Sequence, residues 1–162
     1  MRRARFAEIL QLLATNEVEF IVVDMTAGIL QGAPVTTIDL DVVHRRSPEN
    51  VGRLLRVLAS LHAFYRHDPR KLRPQESHLS SPGHQLLTTS HGDLDCLGTI
   101  GQGMGYDELL AQTVEMRLSG GLTVRVLGLP ALIEAKERAG RPKDLAALPV
   151  LRATLDELKR SS

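Results

Sequence analysis

The sequence predicts one mixed α+β domain spanning residues 1–162, a β-sheet flanked by helices with a helical segment at the C-terminus. Three observations predict it. Apolar runs of strand length alternate with stretches of helical period. Turn signals at Gly32-Ala33-Pro34, His91-Gly92 and Ser119-Gly120-Gly121 separate them. The octapeptide TTIDLDVV, Thr36 to Val43, alternates two aspartates with branched apolar residues, the period of a strand. At 162 residues and 43% hydrophobic content the chain can bury one substantial core and is short for two complete domains.

Phe6, Ile9, Leu10 and Leu13 fall on one helical face, which predicts a helix over about 4–14. Glu19 to Val23 reads as a short buried strand, and Thr26 to Gln31 as a short helix before the Gly32-Ala33-Pro34 turn. The acidic strand follows. In it Ile38, Leu40 and Val42 are expected on one face and Asp39 and Asp41 on the other. Ser47-Pro48-Glu49-Asn50 predicts a helix start, with Ser47 as cap, Pro48 in the first turn and Glu49 at the positive end of the dipole. Val51, Leu54, Leu55 and Leu58 form its apolar stripe.

The segment from His67 to Gly83 has no clear period and reads as loop, with a short strand near His78 to Ser80. His84 to Thr89 and Asp93 to Leu97 are strands joined by the His91-Gly92 turn, and Gly101, Gly103 and Gly105 mark a loop. Thr113 to Leu118 and Leu122 to Leu127 form a hairpin. A helix follows Leu129-Pro130 and stops at Gly140, and a last helical stretch is broken or restarted at Pro149.

Asp39 and Asp41 on one strand face stand roughly 7 Å apart, a spacing suited to sharing a divalent cation. Two carboxylates so placed repel and resist desolvation unless water, a basic residue or a metal compensates. Magnesium takes oxygen ligands and is usually held by one or two carboxylates plus substrate phosphates, so the pair suggests a phosphate-bearing substrate. An edge strand with solvated acidic side chains is the alternative for the pair taken alone.

Composition removes other classes. Twenty Lys and Arg against nineteen Asp and Glu leave a charge of +1, without the basic excess of nucleic-acid binders, and 3% aromatic content leaves little for base stacking. One cysteine, Cys96, excludes an internal disulfide and a cysteine-based zinc cluster. No run reaches membrane-spanning length and the MRRAR start leads into an amphipathic pattern, so a soluble cytoplasmic protein is expected.

The ordered set of a strand, a short helix ending at Gly32, IDLDVV, a capped helix, GDLDCLG and ALIEAKERAGRPKD resembles the nucleotidyltransferase-fold proteins of the minimal and AbiEii-like groups. The resemblance runs from about Val18 to Leu151. It implies a mixed sheet flanked by helices and Mg2+-dependent (or Mn2+-dependent) transfer of a nucleoside monophosphate from a nucleoside triphosphate to a hydroxyl on RNA, protein or a small molecule. Carried over, Asp39 and Asp41 match the metal pair, and Asp95 matches the third metal-binding carboxylate, which is also a general base for the acceptor hydroxyl. One departure stands out. Where such proteins carry Gly-Gly or Gly-Ser to cradle the triphosphate, this chain has Asp24-Met25. Thr26 could still donate a hydroxyl to phosphate, while Asp24 is expected to cap the short helix. The departure keeps a second expectation open: a binding module that retains the fold without transfer, such as one member of a toxin-antitoxin pair with a partner protein.

Lys143 could bind phosphate as a point charge, as could Lys136, and Arg141 could do so bidentately. Helix-end electrostatics is the alternative for all three, and is preferred for Lys136 and Arg141. Asp144 is expected to cap the final helix, Asp93 to be a turn residue, and the basic stretch Arg66, His67, Arg70, Lys71 and Arg73 to be a solvated loop. The histidines show no zinc-ligand spacing, the serines no nucleophile elbow, and Cys96 reads as a small buried thiol.

Overall fold

The structure, a computed structural model, describes residues 5–161; the expected helix start at residue 4 and most of the MRRAR segment lie outside the described residues. Seven strands form one mixed sheet: β1 (Phe20–Val23), β2 (Asp39–His44), β3 (Phe64–Tyr65), β4 (His84–Thr89), β5 (Gly92–Leu97), β6 (Thr113–Arg117) and β7 (Thr123–Leu127). Their order is β3-β4-β5-β2-β1-β7-β6. Strands β1 and β7, and β2 and β5, pair in parallel, while the other neighbours are antiparallel. Among the described residues seven α-helices flank the sheet: α1 (Phe6–Thr15), α2 (Asp24–Leu30), α3 (Pro48–Ser60), α4 (Glu76–Ser80), α5 (Tyr106–Leu109), α6 (Leu129–Ala139) and α7 (Pro142–Ser161). The α+β class expected from the alternation of periods is the class found. None of the described helices is long and apolar enough to cross a membrane.

The central strands carry two different faces. Val22, Leu40, Val42, Leu94 and Cys96 are fully buried on one, where His44 also lies and bonds the Leu79 carbonyl of α4 at 2.7 Å. The register pairs Val23 with Asp41, Asp39 with Asp93 and Asp41 with Asp95, so the other face gathers the carboxylates at one end of these strands. Buried polar side chains fix this end. Asn50 accepts from the Glu19 amide at 2.7 Å and donates to the Glu19 and Arg45 carbonyls at 2.9 and 2.8 Å, tying the start of α3 to β1 and β2. Gln31 donates to the Ala27 and Leu127 carbonyls and accepts from the Leu129 amide, which joins the end of α2 to the turn entering α6.

Helix α3 starts as its sequence predicts: Ser47 Oγ accepts the Asn50 amide and Pro48 takes the first turn. Gly140 ends α6 in the left-handed conformation at φ 62°. Several elements differ from expectation. The acidic strand begins at Asp39, where its pairing with β5 begins; Ile38 is 80% exposed rather than packed beside Leu40. His78 to Ser80 is helix, not strand, since Gln75 and His78 form a reciprocal capping box. Pro149 sits inside an uninterrupted α7. The two-residue strand β3 had no sequence signal, being too short for a period.

A Cβ at Gly98 would stand 2.3 Å from the Ser81 carbonyl oxygen and 2.8 Å from Pro82 Cα, both backbone atoms. Gly98→Ala is therefore expected to lower the unfolding free energy by about 3 kcal/mol, the upper range for an overpacked site. A denaturant titration with an unchanged midpoint would contradict this tight approach.

Candidate active site

Parallel pairing of β2 with β5 sets Asp41 beside Asp95 and Asp39 beside Asp93, four carboxylates on one sheet face. A fifth, Asp24, follows β1, whose last residue pairs with Asp41. Burial and the neighbouring Asp24 and Asp95 carboxylates push the Asp41 carboxyl up to about 8 from an ordinary 3.8. Asp41 is thus protonated at neutral pH and within hydrogen-bonding reach of both neighbours, while its Oδ1 is buried with no partner. Asp39, nearer the rim, is also raised, by burial and then by Asp95, with Arg66 and Lys143 opposing.

Three basic side chains answer this charge. Arg66 Nη2 donates to Asp95 Oδ1 at 2.5 Å and to the Leu87 carbonyl at 2.8 Å, and its Nε lies 3.3 Å from Asp93 Oδ2. Lys136, 7% exposed, sits 2.5 Å from Asp24 Oδ1 and 3.2 Å from Asp144 Oδ1. Arg141 holds Asp144 through Nε at 2.7 Å and through its amide at 3.3 Å. Hydrogen bonds from Arg141, with Lys136 adding to them, draw the fully buried Asp144 below the usual carboxylate range. Beside this network is a cavity of about 620 Å³, lined by Val23, Asp24, Leu97, Leu127, Lys136 and Asp144 among others.

The structure thus brings Asp39, Asp41 and Asp95 to one face, with Asp41 and Asp95 deepest. Thr26 Oγ1 donates to the Asp39 carbonyl at 3.1 Å, so its proton anchors the start of β2. Lys143 is exposed at the start of α7, and its charge is felt at Asp39. Four expectations are corrected. Asp24 does not cap α2: it is the first helical residue, at φ 56°, and its carboxylate turns to Lys136. Asp93 is a strand residue that accepts from Thr88 Oγ1 and faces Arg66. Asp144 lies inside the first turn of α7, drawn in by Lys136 and Arg141 rather than exposed as a cap. Arg66 is no solvated loop residue; its side chain is 16% exposed.

Sequence reading therefore underweighted Arg66 and Lys136. A usable signal existed for Lys136 alone, which falls at a helical spacing from the buried Leu132 and Ile133. Arg66 has none, because its place depends on the β3–β4 pairing. Cys96 is fully buried, and burial together with Asp95 and Asp41 pushes its thiol far up, which makes it unreactive. The histidines serve separate contacts: His84 meets the Thr99 carbonyl, His91 meets Glu8 and His78 caps α4.

No family model and no curated protein sequence matches the chain. Solved structures do. A candidate nucleotidyltransferase from Thermotoga maritima superposes with TM-score 0.57 at 18% identity, covering 94% of this chain and 91% of that one. The solution structure of the antibiotic-resistance factor ANT(2'')-Ia gives TM-score 0.57 at 14% identity, covering 94% of this chain and 82% of that one. At these identities the likeness is one of fold: a nucleotidyltransferase-like mixed sheet flanked by helices.

Proposed function

We propose that the protein transfers a nucleoside monophosphate from a nucleoside triphosphate to a hydroxyl-bearing acceptor, with Asp39, Asp41 and Asp95 at the reacting centre. The observation that carries this reading is the in-register pair Asp41 and Asp95; burial and then the crowding with Asp24 and Asp95 push the Asp41 carboxyl up to about 8. A cluster in that condition lacks positive charge. Magnesium or manganese fits it: Asp41 Oδ1 is buried without a partner, and Asp39 and Asp41 are the oxygen donors such ions prefer. Among the described residues no group of three or more His, Cys, Asp or Glu is arranged to hold a metal.

When bound, the cation would neutralise phosphate charge and favour departure of pyrophosphate. Asp95 keeps one oxygen on Arg66 and has the other to accept the proton of the attacking hydroxyl. Lys143, exposed beside Asp39, would meet the triphosphate as a point charge. Thr26 orients Asp39 through the backbone rather than touching phosphate. The nucleotide and acceptor identities lie with loops around the cavity.

The test is label transfer. Each of the four α-labelled triphosphates with Mg2+ and a cell extract as acceptor source should yield a labelled product, and Asp39→Asn should cut the rate by about 100-fold or more. Equal labelling by the variant would defeat the role of Asp39.

A second reading has its own observation. Asp24 occupies the left-handed position at the start of α2 and pairs with Lys136, which puts a carboxylate where a phosphate-cradling turn would have bare amides. On this reading the fold binds a partner protein, as in a toxin-antitoxin pair, without transfer. No label transferred, with a partner co-purifying, would favour it; triphosphate binding gained by Asp24→Gly, Met25→Gly would trace the loss to the turn.

A further inference from the structure

We infer that Arg66 is a positioning residue that pins Asp95 and keeps a divalent cation off it, so that metal enters the cluster together with a polyphosphate rather than alone. The inference rests on the reading that the cluster takes a divalent cation and a triphosphate. Its support is the way Arg66 is held. Its backbone amide donates to the Leu86 carbonyl at 2.9 Å, its Nη2 donates to the Leu87 carbonyl, and the same Nη2 reaches Asp95. The guanidinium is fixed from the strand side and spans Asp93 and Asp95, which project two residues apart from one face of β5.

A guanidinium so fixed has two consequences. It occupies one oxygen of Asp95, and its permanent charge repels a dication approaching the other. Lys136 does the same to Asp24 on the opposite side of Asp41. Asp39 and Asp41 remain, and a dication held by two carboxylates and water alone binds weakly until phosphate oxygens add their charge. Arg66 thereby links metal binding to nucleotide binding, which would prevent a bare ion from occupying the site.

Electron paramagnetic resonance of Mn2+ with the full chain tests this. The wild type should bind Mn2+ alone weakly, while Arg66→Leu and Arg66→Gln should bind it about ten- to hundred-fold more tightly, the range by which residues behind a metal site shift affinity. Arg66→Lys, which keeps the charge, should return towards wild type. Inorganic tripolyphosphate should narrow the gap between wild type and Arg66→Leu, and Asp41→Asn placed in Arg66→Leu should remove the gain. A merely structural loss would lower affinity, not raise it, and Arg66→Gln keeps a donor for the Leu87 carbonyl if Arg66→Leu folds poorly. Equal or weaker Mn2+ binding by both neutral variants overturns the inference. Failure of label transfer in every variant, with the Mn2+ gain intact, would instead count against nucleotidyl transfer and leave the role of Arg66 standing.

Discussion

Between pH 5 and pH 8 the Asp41→Asn protein is expected to gain about 3–4 kcal/mol of stability on the wild type, already exceeding it at pH 5 because the unfolded carboxyl ionises near 3.8. The folded protein holds a proton on Asp41 up to about pH 8, whereas the unfolded chain releases it near 3.8. Between those values the native state binds the extra proton, so wild-type stability falls as pH rises, by up to about 1.4 kcal/mol per pH unit. The cause is burial beside Asp24 and Asp95, with Asp39 raised in the same sense. An amide at position 41 removes its part of the slope. Urea titrations of both proteins at intervals from pH 5 to pH 8 read this directly, and parallel slopes would show that Asp41 is ionised throughout.

Lys136→Met should be the most damaging single change to the fold, lowering stability by about 3–5 kcal/mol, the usual cost of removing one partner from a buried ion pair. It would leave Asp144, fully buried, with Arg141 alone, and Asp24 beside Asp41 without its ion-pair partner. Adding Asp144→Leu should recover part of the loss, since an apolar pair replaces an orphaned charge. Thermal unfolding of the single and double variants decides it; a single variant within about 0.5 kcal/mol of wild type would mean that Lys136 is solvated in solution. The Asp144 contribution has its own pH signature. Its depressed native value makes it stabilising above the unfolded carboxylate range, and that stability disappears as pH falls through the native value, so acid unfolding should begin earlier in Asp144→Asn.

The residues that sequence placed well are those whose period or chemistry is local. Asp39 and Asp41 share the strand face that alternation gives them, Asp95 lies on a strand as expected, and Ser47, Pro48 and Gly140 start and stop helices by rules that act within one turn. The residues misread answer to tertiary contacts. Arg66 stands within a run of basic residues that resembles any solvated loop, and only the pairing of Phe64-Tyr65 with β4 turns it inward. Asp24 looks like a helix cap until Lys136, more than a hundred residues later in the chain, arrives to pair with it. Asp144 looks like a cap for the same reason, being a short acid near a helix start, yet it is fully buried between two cations. Ile38 shows the converse: its alternation is intact, but it precedes the first paired residue of β2 and stays exposed.

Those tertiary pairs make the site more than an acidic patch on a strand. Two cations hold its flanking acids, Asp41 carries the unmet need for charge, and a cavity lies alongside. On the proposed function, this arrangement receives a metal-bound triphosphate. Calorimetric titration of an α,β-methylene triphosphate into the full chain tests it most directly, with Mg2+ and with chelator, for wild type and Asp39→Asn. Saturable binding that needs Mg2+ and is lost in Asp39→Asn is the expected result. Binding that persists with chelator and in the variant, or no binding by the wild type at any Mg2+ concentration, would contradict it.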